Sequence, residues 1–204
     1  MKRFIRRCLA AGLAAAGMAA LAAPSVTFNV PAGVAQGAVF QIVLRGNGFG
    51  QTQGGQVIDN VTGGQKFNLQ FDPSRVAVDA VQIDPRWNFA TANKPGTVNN
   101  TAGTLTGLAF GAFPATTDDD FPIATLTLRA LAQGSAQVSI TTGEVAARVA
   151  GVSGTKIVPQ FVSSSLSIAA APTTEQDVPL PLWALGLLGA GLGGSLWRRA
   201  RTTA

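Results

Sequence analysis

The sequence predicts an all-β protein: a single antiparallel β-sandwich of about nine short strands, flanked by one apolar helix at each end of the chain. Three observations lead there. Between Ser25 and Ile168 apolar and polar residues alternate with a period of two, which places successive side chains on opposite faces of a strand. Clusters of Gly, Asn, Asp and Ser interrupt these runs at short intervals, as turns do. No part of this middle region carries a helical period, so the strands have only each other to pack against.

The strands follow in order. Ser25–Val30 comes first, then Val39–Arg45, where Phe40, Ile42 and Leu44 share a face. In Gln65–Asp72 the residues Phe67, Leu69 and Phe71 alternate with Lys66, Asn68, Gln70 and Asp72, a half-buried strand. Asp72-Pro73-Ser74 turns the chain into Val76–Ile83. Gly103–Phe113, Phe121–Ala130, Ala136–Thr141, the shorter Val145–Val149 and Phe161–Ile168 complete the sandwich, so the domain spans residues 23–168. Between them Gly46-Asn47-Gly48, Gly54-Gly55, Gly63-Gly64, Asn99-Asn100 and Gly134-Ser135 are expected to be turns. Residues 169–177, with Pro172, form a small-residue linker.

The ends read as targeting segments. Residues 1–22 have the form of a signal peptide: Lys2, Arg3, Arg6 and Arg7, an apolar run from Leu9 to Leu21, and a small-x-small cleavage site at Ala20 and Ala22. Ile5 and Cys8 fit a twin-arginine motif poorly, which favours the general secretory route. Residues 178–204 open with Val178, Pro179, Leu180 and Pro181, continue without a charge to Trp197, and end in Arg198, Arg199 and Arg201. As a helix, twenty residues reach about 30 Å, roughly one bilayer core. The arginines place the far end on the cytoplasmic side and everything before Val178 outside. The two prolines keep the entry extended, and five glycines weaken the helix after it. The expected address is therefore across the inner membrane, held there by the tail.

Composition has to be read with those segments set aside. The whole chain is +5, but seven of its fifteen Lys/Arg lie in the terminal segments. Residues 23–177 keep eight Lys/Arg against ten Asp/Glu, about −2, so the basic balance reflects targeting and implies no nucleic-acid partner. The only cysteine, Cys8, lies in the signal segment without the small residues that precede a lipidated cysteine, so the exported domain is held by packing and not by disulfides.

The chain has no histidine, which removes a Ser-His-Asp triad and histidine-ligated zinc. The exported domain has no cysteine nucleophile either. A carboxylate pair among Asp59, Asp72, Asp79, Asp84 and Glu144 is formally available, but each is explained as a turn or strand-edge residue. The expectation is a protein that is not an enzyme and needs no cofactor. Asp118-Asp119-Asp120 invites a calcium site, with Asp118 and Asp120 as candidate ligands. Three consecutive side chains cannot all point inward, however, and a solvated loop that discourages edge pairing explains them better. Trp87 and Phe89 are the candidate ligand contacts, as flat rings that could stack on a sugar, with core packing the competing account of Trp87. Asn60-Val61-Thr62 and Asn99-Asn100-Thr101 match the glycosylation acceptor pattern and are read as turns.

Two resemblances sharpen this reading. The order of Val178-Pro179-Leu180-Pro181, a brief Gly/Leu/Ala helix and an arginine cluster resembles the PEP-CTERM class of bacterial sorting signals, in a variant with Leu180 where the usual motif has glutamate. The resemblance implies processing near the motif by an exosortase-type membrane enzyme. The runs FNLQFDPSRVAVDAVQI (67–83) and DDDFPIATLTLRALAQGSAQVSI (118–140) resemble the cohesin-type sandwich, related in shape to cellulose-binding modules. That resemblance implies a nine-stranded jelly roll that holds a partner on one sheet face, a dockerin-like protein or a polysaccharide. The function expected is an exported, non-catalytic surface or extracellular-matrix module, or alternatively a recognition module using one sheet face.

Overall fold

The computed structural model describes residues 23–50, 52–53 and 56–172. All of their regular structure is β, in thirteen strands: β1 (Ser25–Asn29), β2 (Gly33–Ala35), β3 (Val39–Asn47), β4 (Thr52–Gln53), β5 (Gln56–Phe71), β6 (Val76–Ile83), β7 (Thr97–Asn99), β8 (Thr104–Thr116), β9 (Phe121–Ala130), β10 (Gly134–Val149), β11 (Val152–Ile157), β12 (Gln160–Phe161) and β13 (Ser164–Ala169). The signal helix and membrane helix expected at the two ends lie outside the described residues.

The strands form two open sheets. The first has the order β12-β1-β3-β9-β6; the second has the order β2-β13-β10-β5-β8-β7, with β11 added to the far half of β10 and β4 to β5. The result is the expected jelly-roll sandwich. It is antiparallel except at one border, where β1 pairs β12 and β13 pairs β2 in parallel. There the chain crosses to the second sheet and back at β2, and to the first sheet and back at β12, so the terminal strands stitch the sheets together.

The alternation seen in the sequence is the burial pattern of the strands. Val26, Phe28, Ile42, Leu44, Ile123, Leu126 and Leu128 point inward from the first sheet. Phe67, Leu69, Leu105, Leu108, Val138 and Ile140 meet them from the second. Each such side chain contributes about 1.5–3 kcal/mol on leaving water. No polar or charged residue is buried among the described residues, so packing alone holds this core.

The strand count rises from nine to thirteen because β2, β4, β7 and β11 are added and one expected strand divides, while two expected strands merge. Ala136–Thr141 and Val145–Val149 belong to one sixteen-residue strand, because bulges near Thr142 carry the ladder with β5 past the break in apolar pattern. Likewise Gln65–Asp72 is the second half of β5, kinked at Lys66 with φ of 58°. The Phe161–Ile168 run divides at its change of sheet. β11 returns along β10 through a hairpin whose two central residues, Ala150 and Gly151, both have positive φ (48° and 82°), the conformation whose twist matches paired strands.

Candidate functional site

The segment between β6 and β8 runs along the open edge of β8 and holds the features singled out from the sequence. Phe89 N–H donates to the Gly111 carbonyl (3.0 Å), and Lys94 and Ala109 exchange two backbone bonds of 2.9 Å. Asn side chains complete the edge where a ladder would otherwise be. Asn93 Oδ1 accepts from Gly111 N–H and Asn88 Oδ1 from Phe113 N–H, each at 2.9 Å, while Asn93 Nδ2 donates to the Trp87 carbonyl.

Trp87 points away from solvent, only 2% exposed. Its ring lies 4.5 Å from Phe110 of the second sheet and 5.2 Å, edge-on, from Phe121 of the first. Its indole N–H donates to the Pro122 carbonyl at 2.9 Å. The ring is therefore packed against an aromatic residue of each sheet, and Trp87 closes the sandwich edge. Phe89, two residues on, is 53% exposed, so the sequence-named pair divides into one core residue and one surface residue.

Phe89 stands over a groove of about 510 Å³ on the outer face of the second sheet. Phe113, 81% exposed, walls it as well, a residue that sequence reasoning placed only at a strand end. The floor is Gly63, Gly64, Gly111, Ala109 and Ala146, where β5, β8 and β10 lie side by side. Glycine is required there: a Cβ on Gly63 would lie 2.2 Å from the Phe110 carbonyl oxygen, and one on Gly111 would lie 2.8 Å from Ala92 Cβ. Thr62, Gln65 and Lys94 supply the polar rim. Of its lining the sequence marked only Phe89, because the parts come from four separate segments.

Most of the acidic residues are engaged in hydrogen bonds or ion pairs. Arg86 reaches Asp118 at 2.7 Å and Asp84 at 3.3 Å, fastening the loop before β9 to the Trp87 segment. Asp120 Oδ1 accepts from Gly48 N–H at 2.8 Å. Among the described residues no three His, Cys, Asp or Glu side chains are grouped so as to hold a metal. Asp79 pairs with Arg129 at 2.8 Å, Asp59 with Arg148 at 3.7 Å, and Asp72 accepts from the Ser74 hydroxyl at 2.6 Å. Of the acceptor patterns, Asn60 lies within β5 and Asn99 ends β7, its Oδ1 bonded to the N–H groups of Thr101 and Ala102.

Beside the groove a second cavity, of about 620 Å³, opens between Lys66, Asn68, Thr142, Glu144, Val158 and Phe161. Glu144 is gripped there by Lys66 (3.0 Å), Lys156 (3.3 Å) and Gln65 (2.8 Å). The Lys66 hydrogen bond, helped by Lys156 and Gln65 and opposed by partial burial, holds its carboxyl below the ordinary 4.5. A depressed carboxyl gives stability that is present above 4.5 and lost as pH falls through the lower folded value. The Glu144→Gln variant should therefore be less stable than the parent at pH 7, by a small margin, and that margin should be smaller at pH 3. Urea midpoints at the two pH values measure it.

The sorting motif Val178, Pro179, Leu180 and Pro181, the cluster Arg198, Arg199 and Arg201, and the cleavage residues Ala20 and Ala22 lie outside the described residues. Among those described, no helix is long and apolar enough to cross a membrane.

No family model and no curated protein matches the chain. Solved structures do. A cohesin module from a Clostridium perfringens family 33 glycoside hydrolase superposes with a TM-score of 0.55 at 14% identity, covering 73% of this chain and 98% of that one. A type I cohesin–dockerin complex from Clostridium thermocellum gives 0.56 at 8% identity, over 72% and 99% of the two chains. A non-cellulosomal cohesin from the archaeon Archaeoglobus fulgidus gives 0.54 at 11% identity, over 72% and 92%. At such identities the likeness is one of fold, and the fold of this chain is the cohesin-like β-sandwich.

Proposed function

We propose that this protein is an exported, non-catalytic module that works by binding at the cell surface or in an extracellular matrix. The observation that carries the reading is the fold: the sandwich covers nearly the whole length of cohesin modules, including ones solved with dockerins bound. The signal segment delivers the domain across the inner membrane. The Val178–Pro181 motif and its arginine-stopped helix hold it there for an exosortase-type enzyme, which releases it or passes it to the surface.

Intact-mass measurement of the secreted product tests both ends at once. The expected result is loss of the first 22 residues and a C-terminus near Val178–Pro181. A full-length C-terminus found only in the membrane fraction would mean a plain anchor and no sorting step.

The second reading is a recognition module proper, holding a polysaccharide or a dockerin-like protein on one sheet face. It is favoured by the walled groove on the outer face of the second sheet, an apolar concavity with a polar rim such as binding sites use.

A further inference from the structure

Two phenylalanine rings held out over a floor of glycine and alanine are explained by neither the core nor the ion pairs. The other described phenylalanines are buried or half-buried. Phe113 and Phe89 are not on a slack loop: the backbone N–H of one is fixed by Asn88 and that of the other by Gly111. Holding apolar rings rigidly in water has a cost that a ligand would offset.

We propose that this groove binds a segment of an anionic polysaccharide, one that carries carboxylates on its sugar rings. The inference rests on the recognition-module reading and narrows it to a site and a ligand class. A sugar ring has a flat C–H face and a rim of hydroxyls. Phe89 and Phe113 offer flat apolar walls to the first. The polar rim of Thr62, Gln65 and Lys94 serves the second. The volume, about 510 Å³, suits a short run of sugar units. Charge selects among sugars: Lys94 is the one charged residue of the lining, with no carboxylate beside it. A folded protein partner would instead need roughly 800 Å² of matching surface.

The test is calorimetric titration of the full-length protein in detergent micelles with hexagalacturonate and, as the neutral counterpart, cellohexaose. Hexagalacturonate should bind more tightly. Phe113→Ala should weaken it roughly tenfold or more, as loss of an aromatic anchor does, with Phe89→Ala acting in the same direction. Lys94→Gln should weaken hexagalacturonate several-fold, flatten its salt dependence and leave cellohexaose unchanged. Thermal midpoints of the three variants should stay near the parent's, since the altered side chains lie at the surface. Failure of both sugars to bind overturns the proposal, as does binding indifferent to both phenylalanine variants. Equal affinity for the two sugars, insensitive to Lys94→Gln, overturns the charge assignment. A parallel titration with a purified dockerin-like protein separates the levels: if that protein binds and the sugars do not, the recognition module stands and the polysaccharide site falls.

Discussion

Replacing Trp87 with alanine should destabilise the sandwich by about 3–5 kcal/mol, the range for removing a large aromatic from a packed core. At roughly 2–4 °C per kcal/mol for a domain of this size, the thermal midpoint should fall by roughly 6–20 °C. The effect is large because Trp87 does three things. Its ring fills the gap between Phe110 and Phe121, one from each sheet; its N–H satisfies the Pro122 carbonyl; and its own carbonyl is held by Asn93. Trp87→Phe separates these contributions. It keeps a ring against both phenylalanines but leaves the Pro122 carbonyl without its donor, which should cost about 1–3 kcal/mol. Circular dichroism melts of both variants measure the difference. A loss below about 1 kcal/mol for the alanine variant would put the ring at the surface and return Trp87 to the ligand-contact role that its sequence context also allowed.

The strands were legible in the sequence wherever one face is core and the other is water. Phe67, Leu69 and Phe71 alternate visibly, and all three are buried. Legibility failed where glycine was involved. Gly63-Gly64 reads as a turn, yet both residues lie inside β5, because the aromatic rings of Phe110 and Phe67 come too close to leave room for a Cβ at Gly64. Conversely, the hairpin between β10 and β11 was invisible. Its turn is Ala150-Gly151 and not the Asn-Gly or Asp-Gly that marks such turns, and it leans on Asp59, whose carboxylate accepts from Gly151 N–H at 2.8 Å across 92 residues of chain. The groove failed for a related reason. It is defined by what is missing, side chains at Gly63, Gly64 and Gly111, and by the folding of Phe89 and Phe113 onto adjacent segments. Period and spacing report on neighbours along a strand; they carry no information about which strands will lie side by side.

Gly103→Ala should cost roughly 2–5 kcal/mol, although it adds a single methyl group. Gly103 had looked like the first residue of a strand, but it ends the turn between β7 and β8, buried, with φ of +67°. The left-handed conformation alone costs an L-residue about 1–2 kcal/mol. A Cβ there would also lie 2.2 Å from the Phe71 carbonyl oxygen and 2.7 Å from Pro73 Cδ, which backbone movement must relieve, typically at about 1–3 kcal/mol. That movement would not stay local. Gly103 accepts the Phe71 N–H at 2.8 Å, and its neighbour Asn100 bonds both the N–H and the carbonyl of Val78, covering the free edge of β6 in the other sheet. The turn thus fastens the two sheets to each other, and displacing it loosens both attachments. Gly107→Ala isolates the conformational part: its φ is +76°, and nothing lies within 4 Å of the added Cβ. Urea unfolding of the two variants should therefore show a loss at Gly103 exceeding that at Gly107 by about 1–3 kcal/mol. Equal losses would mean that backbone conformation alone makes glycine necessary, and that the turn has room to move without disturbing either sheet.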